Sequence, residues 1–442
     1  MKKRLLSIFL AAAACISLAG CQSQAPVSEQ PKAVTIKITT PPIGLGEVPG
    51  VGESEISEML TLAAERFSAQ YTKYDVTFEV NRYNYTDEKE QLLDKIGTED
   101  AADIFYAGSW NTSSWADNGW LVPLDDMIDD ELYADISETL WQQNTYEGHV
   151  YVIPFQQLHN TLMVNKTMME QAGLEEFIPE PDTIAHWSTE DFNTVFAGLK
   201  ASITDNSTYI MMMYALNNQG DSHIMTLLQA MGGSLYDEDG NFAVNTPKGI
   251  AALTWIKSLD EQGYVPSTAE NIEFVDMMNL FYNGQLAICA GNLTNLWDCR
   301  DRGLDVFPVN FPSLDGSGYV VSTSNGFCVF DNGDPEKIQV AKDFIHYVYS
   351  DEELMKYTLG TLPVNQSIME QYDDEIWMLN AYRENSENLT RIVRLDNLNW
   401  QGVRDAFYLN IQDLLRGTKT SAEVAAAIDE TCNAALAEGR PK

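Results

Sequence analysis

The chain has 442 residues, 45% of them hydrophobic, and carries 65 Asp and Glu against 27 Lys and Arg for a net charge of −38. Such a surface repels nucleic acid and anionic lipid headgroups, so neither is expected as a direct partner. The length suits two or three domains. The six cysteines include no CxxC pair, so a zinc ribbon or thioredoxin-type site has no support.

The first element is Met1-Lys2-Lys3-Arg4 followed by an apolar run from Leu5 to Gly20. A positive start, a short apolar middle and small residues at the end describe a secretory signal peptide over residues 1–20; a membrane-spanning helix needs about 20 apolar residues. The run ends Leu18-Ala19-Gly20-Cys21, which resembles the lipobox of bacterial lipoproteins. That resemblance implies a diacylglycerol on the Cys21 thiol, cleavage just before it, and a protein anchored to the outer side of the cell membrane. Two acyl chains give stable anchoring where one is marginal. Loss of Lys2, Lys3 and Arg4 would take the net charge from −38 to −41. Residues 21–32, with Ser, Gln and Pro and little to bury, read as a flexible tether.

Beyond the tether, strands and amphipathic helices alternate. Ala33–Thr40 alternates apolar and polar residues, and a Gly- and Pro-rich loop from Pro41 to Glu53 follows. In the next helix Ile56, Met59, Leu60, Ala63 and Phe67 share one face. Val76–Val80 reads as a second strand, residues 86–97 (TDEKEQLLDKIG) as a second helix and Asp103–Gly108 as a third strand. This β-α-β-α-β order predicts an α/β fold with a parallel sheet covered by helices. Ser188 is expected to cap a helix with Asp191 reaching back, Trp187 and Phe192 forming a hydrophobic staple. Thr246-Pro247 and Asp334-Pro335 open two more helices, Gly263 closes the first of these, Gly417 ends the helix begun near Trp400, and Ser421 is expected to cap the last. Residues 234–244 (SLYDEDGNFAV) read as a hairpin turning at Asp239-Gly240. Cys289 and Cys328 sit in apolar runs as small hydrophobes, and a Cys289–Cys299 bridge stays open.

No catalytic motif stands out. Gly44, Gly46 and Gly50 give GxGxxxG, the wrong spacing for a dinucleotide loop, and no Walker lysine-serine pair follows. The five histidines form no HExxH, and there is no GxSxG elbow. In DEDGN the glycine is misplaced for a calcium loop and Lys248 stands where its Glu belongs. No enzyme activity, cofactor or metal is therefore expected.

Pieces spread over nearly the whole mature chain are familiar together. They are LTLAAERFSAQY (60–71), AADIFYAGSWNTSSWADNGWLVPLDDMI (101–128), YEGHVYVIPFQQLHNTLMVNKTMMEQAGL (146–174), HWSTEDF (186–192), FYNGQLAICAGN (281–292) and GTLPVNQSI (360–368). Their order resembles the extracellular solute-binding proteins of bacterial ABC importers, of the maltose- and oligosaccharide-binding type. The family's Y-N-K is here Val164-Asn165-Lys166, the loop from Pro41 to Glu53 is long, and Trp297 comes late after Gly291-Asn292. The resemblance implies a periplasmic-binding-protein-like fold, two α/β lobes joined by a hinge of crossing strands near Pro154 and Val320. Lobe 1 would hold 33–154 plus 319–378, and lobe 2 would hold 155–318 plus 379–442. It also implies a monomer that captures a carbohydrate, an oligosaccharide, between its lobes and delivers it to ABC permease subunits served by a cytoplasmic ATPase, all separate chains. The alternatives are a secreted lipoprotein enzyme acting on polysaccharide and a binding protein for a polyamine, metal complex or peptide.

Ligands of open α/β sheets sit beyond the carboxyl ends of strands, and a sugar asks for flat rings and planar polar side chains. The strand-exit candidates are Trp110 and Asn111, Asn217 and Asp221, and Asn292 and Trp297. The further candidates are Gln156 and His159 on one crossing strand that the resemblance implies, Asn325 on the other, and Trp400, which opens a late helix close to where the resemblance places a stacking aromatic. Gln219 and the loop residues Glu47 and Glu53 accompany them. The other six tryptophans are assigned to packing. Alanine at Trp110 or Trp400 is expected to abolish binding with little loss of stability.

Overall fold

The computed structural model describes residues 31–83, 88–108, 111–211, 213–266, 268–390, 392 and 398–439. The signal peptide, Cys21 and most of the tether lie outside the described residues.

Strand β1 (Ala33–Thr40) turns Val34, Ile36 and Ile38 inward, as its alternation predicts. The strands β2 (Gly44–Val48) and β3 (Gly52–Glu55) form a hairpin where the sequence suggested a loop. The cause is backbone contact. A Cβ on Gly46, at φ +68°, would lie 2.1 Å from the Gly360 carbonyl oxygen, so only glycine lets β2 press onto the turn at Lys356–Gly360. The helix Ile56–Gln70 buries the five residues of its predicted face. Strand β4 (Asp75–Arg82) pairs parallel with β1, and β5 (Ile104–Gly108) lies on its other side, also parallel. The predicted second helix is broken: its described part is helical over Glu88–Gln91 and tightens to a 3-10 turn over Leu93–Lys95.

Two-residue strands β6 (Thr145–Tyr146) and β7 (His149–Val150) precede β8 (Ile153–Asn165), 13 residues long and buried almost throughout. Then come β9 (Tyr209–Met211), β10 (Leu286–Gly291), β11 (Val306–Val309), β12 (Val320–Val329), β13 (Leu362–Pro363) and β14 (Leu389–Thr390). The strand order is β4-β1-β5-β12-β8-β10-β9. The first part of β8 pairs antiparallel with β12, and its last residues pair with β10 and β11. One strand therefore passes from one sheet region to the other.

The apolar side chains divide accordingly. One core holds Ile36, Ile38, Leu60, Phe67, Phe155, Phe327 and Phe344; the second holds Leu162, Val164, Phe196, Phe281, Ile288, Phe407 and Ile428. These are two α/β lobes tied by crossing strands. Leu359, Leu362, Met369 and Met378 belong to the second core, although the sequence division placed them with the first lobe.

Local signals read well. Ser188 and Asp191 close a capping box, with Trp187 edge-on to Phe192 at 5.0 Å. Thr246 and Asp334 cap as predicted. The last helix (Ser421–Glu438) is capped by Thr420, whose hydroxyl accepts from the Glu423 N–H, so Ser421 is its first helical residue instead of its cap. At Asp239-Gly240 the chain turns, but only Tyr236 and Phe242 bridge. Cys289, Cys299, Cys328 and Cys432 are all buried free thiols, which settles the open bridge.

Candidate functional site

A pocket of about 220 Å³ opens where the crossing strands meet the second core. Asn160 on β8 and Thr323 on β12 form one side. The carboxyl end of β10, Ala290-Gly291 and then Asn292, forms another, the position that open sheets reserve for ligands. A Cβ on Gly291 would lie 2.6 Å from Met163 Cε on the paired strand, so a larger residue there would have to displace that methionine side chain. Asn292 caps the helix Leu293–Asp301; its Oδ1 accepts from the Thr294 N–H at 3.1 Å.

The remaining wall comes from the helix Asp221–Leu227 and the helix Trp400–Arg416. Trp400 and Arg404 stand four residues apart and so share a helical face. The Arg404 Nε–H donates to Asp221 Oδ2 at 2.6 Å, which locks the two helices together. Asp221 is almost wholly buried and also accepts from the Ser222 N–H at 2.7 Å. His223 is stacked on Tyr214 with ring centroids 4.1 Å apart and an interplanar angle of 17°, and Phe274 meets Tyr214 edge-on. Burial pushes His223 down to about 3, so its imidazole is neutral at ordinary pH. Neither of its ring nitrogens has a hydrogen-bond partner, and the Trp400 indole N–H has none.

Of the residues predicted from sequence, the pocket gathers Asp221, Asn292 and Trp400, together with Gln219. The others lie elsewhere. Trp110 is outside the described residues. Asn111 stands at the start of the short helix Thr112–Asp117. Gln156 is buried on β8 facing Asn325 across the ladder, with both amide atoms unpartnered. Asn325 is half-buried at a bulge in β12. His159 is one position from Asn160 and therefore on the opposite face of β8. Its Nε2 lies 3.0 Å from Gln157 Oε1, and burial, only partly opposed by the Tyr382 backbone, pushes it down to about 4. Asn217 turns on itself, its Oδ1 accepting from the Gln219 N–H at 3.0 Å. Trp297 packs in the second core, its Nε1–H donating to the Trp377 carbonyl at 3.2 Å.

Sequence reading passed over Asn160, Tyr214, His223, Phe274 and Arg404. Arg404 had a signal, the i,i+4 spacing from Trp400. Tyr214 was absorbed into an apolar run read as core. Among the described residues no group of three or more His, Cys, Asp or Glu could hold a metal ion, and no helix is long and apolar enough to cross a membrane.

Residues 52–355 match the family described as bacterial extracellular solute-binding protein. The chain is 24% identical over 319 residues to the diacetylchitobiose binding protein DasA of Streptomyces coelicolor, covering 68% of this chain and 67% of that one. Among solved structures it superposes on the ABC substrate-binding protein Lmo0181 from Listeria monocytogenes in complex with cycloalternan, with a TM-score of 0.72 and 20% identity over 93% of this chain and 100% of that one. It also superposes on the GacH receptor of Streptomyces glaucescens, solved unliganded and with acarbose, with a TM-score of 0.71 and 18% identity over 92% of this chain and 100% of that one.

Proposed function

The chain belongs to the bacterial extracellular solute-binding protein family, and on that premise we propose that its pocket captures a neutral carbohydrate for import. The observation that carries this reading is the charge balance of the wall. Among the described lining residues the only charged side chains, Asp221 and Arg404, neutralise each other, and the imidazole beside them is uncharged. A polyamine would need several converging acids and a uronate would need a spare cation. What remains is rings and amides: Tyr214, Phe274 and Trp400 for C–H faces, Asn160, Gln219 and Asn292 for hydroxyls. Two relatives support the same class, one named for diacetylchitobiose and one for maltotriose.

The lobes divide near Pro154 and Val320 in this reading, and the ligand stabilises a closed arrangement by touching both. Cys21 carries the lipid, residues 21–32 are the leash, and a monomer outside the cell membrane presents its loaded form to permease subunits. The family and its neighbours are binding proteins, and no catalytic step is assigned. A thermal-shift screen of the mature chain tests the reading, because a ligand bound only by the folded state raises its melting temperature. Neutral mono- and oligosaccharides should raise it while spermidine and short peptides do not; the reverse pattern, or turnover of the glycan, would overturn it.

A further inference from the structure

We propose that His223 is the specificity-determining residue of this pocket, a neutral imidazole held empty-handed so that it reads two hydroxyl groups of the sugar. The inference rests on the carbohydrate reading above. His223 is 3% exposed, and its Nδ1 and Nε2 are both closed off from solvent and unpartnered. Trp400 Nε1, on the wall of the same pocket, is in the same state. An unmade hydrogen bond at a buried polar atom is costly, and a native chain rarely keeps one without a reason. Here three gather on one pocket.

The geometry also says what the missing partner must be. A neutral imidazole has one N–H donor and one bare acceptor nitrogen on divergent sides of the ring, and an indole only donates. Together they call for two acceptors and one donor. Two ligand hydroxyls, one on each side of the imidazole, supply all three, because each hydroxyl both donates and accepts. The ring is already oriented by its stack on Tyr214, and the Arg404–Asp221 pair fixes the helix that carries it. Both nitrogens are closed off from solvent, so the wall must open for a sugar hydroxyl to reach them. A sugar lacking one of the two hydroxyls leaves a nitrogen unpaired and is rejected, the discrimination expected of a site built from buried polar groups.

The test uses a library of neutral mono- to tetrasaccharides that includes maltose, laminaribiose and diacetylchitobiose, titrated calorimetrically into the mature chain. For whichever probe binds, His223→Phe should weaken affinity at least tenfold while the ligand-free melting temperature holds or rises, since two unpaired buried nitrogens are removed. A merely structural histidine would show the opposite: lower stability and unchanged affinity. Should the phenylalanine variant not fold, the imidazole nitrogen resonances of the unaltered chain serve instead, and those of His223 should shift on saturation. Equal affinity in the variant, or unmoved His223 resonances at saturation, overturns this inference and leaves the carbohydrate reading intact. Binding of no library member overturns both.

Discussion

At the crossing of β8, His159 is 1% exposed, and at the pocket wall His223 is 3% exposed. The first has Gln157 within hydrogen-bond distance of its Nε2, its Nδ1 having no partner; the second has no partner at either nitrogen and stacks on the flat face of Tyr214. The two tryptophans repeat the contrast. Trp297 and Trp400 are 7% and 3% exposed, yet the Trp297 indole donates to a backbone carbonyl and that of Trp400 to nothing. Burial alone therefore does not separate a framework residue from a recognition residue. The contrast lies in how far the polar atoms are satisfied internally: at the Trp297 indole, at one nitrogen of His159, and at neither His223 nor Trp400.

The largest expected effects would break the pocket side of this contrast. Arg404→Ala strands the buried Asp221 carboxylate and should cost about 3–5 kcal/mol, read as a lower urea midpoint, with loss of sugar binding. Trp400→Ala should cost a similar amount, about 3–5 kcal/mol, because Trp400 is packed in the second core. The sequence-based expectation that alanine there is cheap does not hold, and Trp400→Phe is the cleaner probe of binding.

Acid should expose both histidines together. Their folded values, about 4 for His159 and about 3 for His223, lie below the unfolded value near 6.5. The unfolded chain thus takes up protons first as pH falls. The stability is whole above about pH 6.5 and is lost progressively towards the folded values, by about 2 kcal/mol per histidine at pH 5. Comparing melting at pH 7.5 and pH 5.0 in the unaltered chain and in His223→Phe should show the variant losing about 2 kcal/mol less. An equal loss would mean that His223 is not buried as described.

The smallest effect sharpens the tryptophan pair. Trp297→Phe removes a made hydrogen bond, whereas Trp400→Phe removes an unmade one. The first should be about 1 kcal/mol more destabilising beyond the shared loss of ring volume, and only the second should weaken sugar binding in calorimetry.

What was legible in the sequence was what is local. The alternation in Ala33–Thr40, the stripe from Ile56 to Phe67 and the caps at Ser188, Thr246 and Asp334 depend on neighbours a few residues away, and the structure keeps them. The hairpin at Gly44–Glu55 escaped notice because its cause, the backbone of Gly360, lies far along the chain. The site was half legible for the same reason. Strand-exit reasoning picked Asp221 and Asn292, and an element boundary picked Trp400, all of which line the candidate pocket. It could not tell Asn160 from His159, since one step along β8 reverses the face. Nor could it separate Trp297 from Trp400, because the distinguishing acceptor comes from Trp377.

The path of the chain also governs the order in which the molecule assembles. Strand β5 pairs with β1 on one edge, but on the other edge its residues 104–108 find their neighbours only at residues 325–329 of β12. A nascent chain emerging from its amino terminus must therefore present the whole of residues 155–318 before the first lobe can complete its sheet. Pairings so distant in sequence make folding slow.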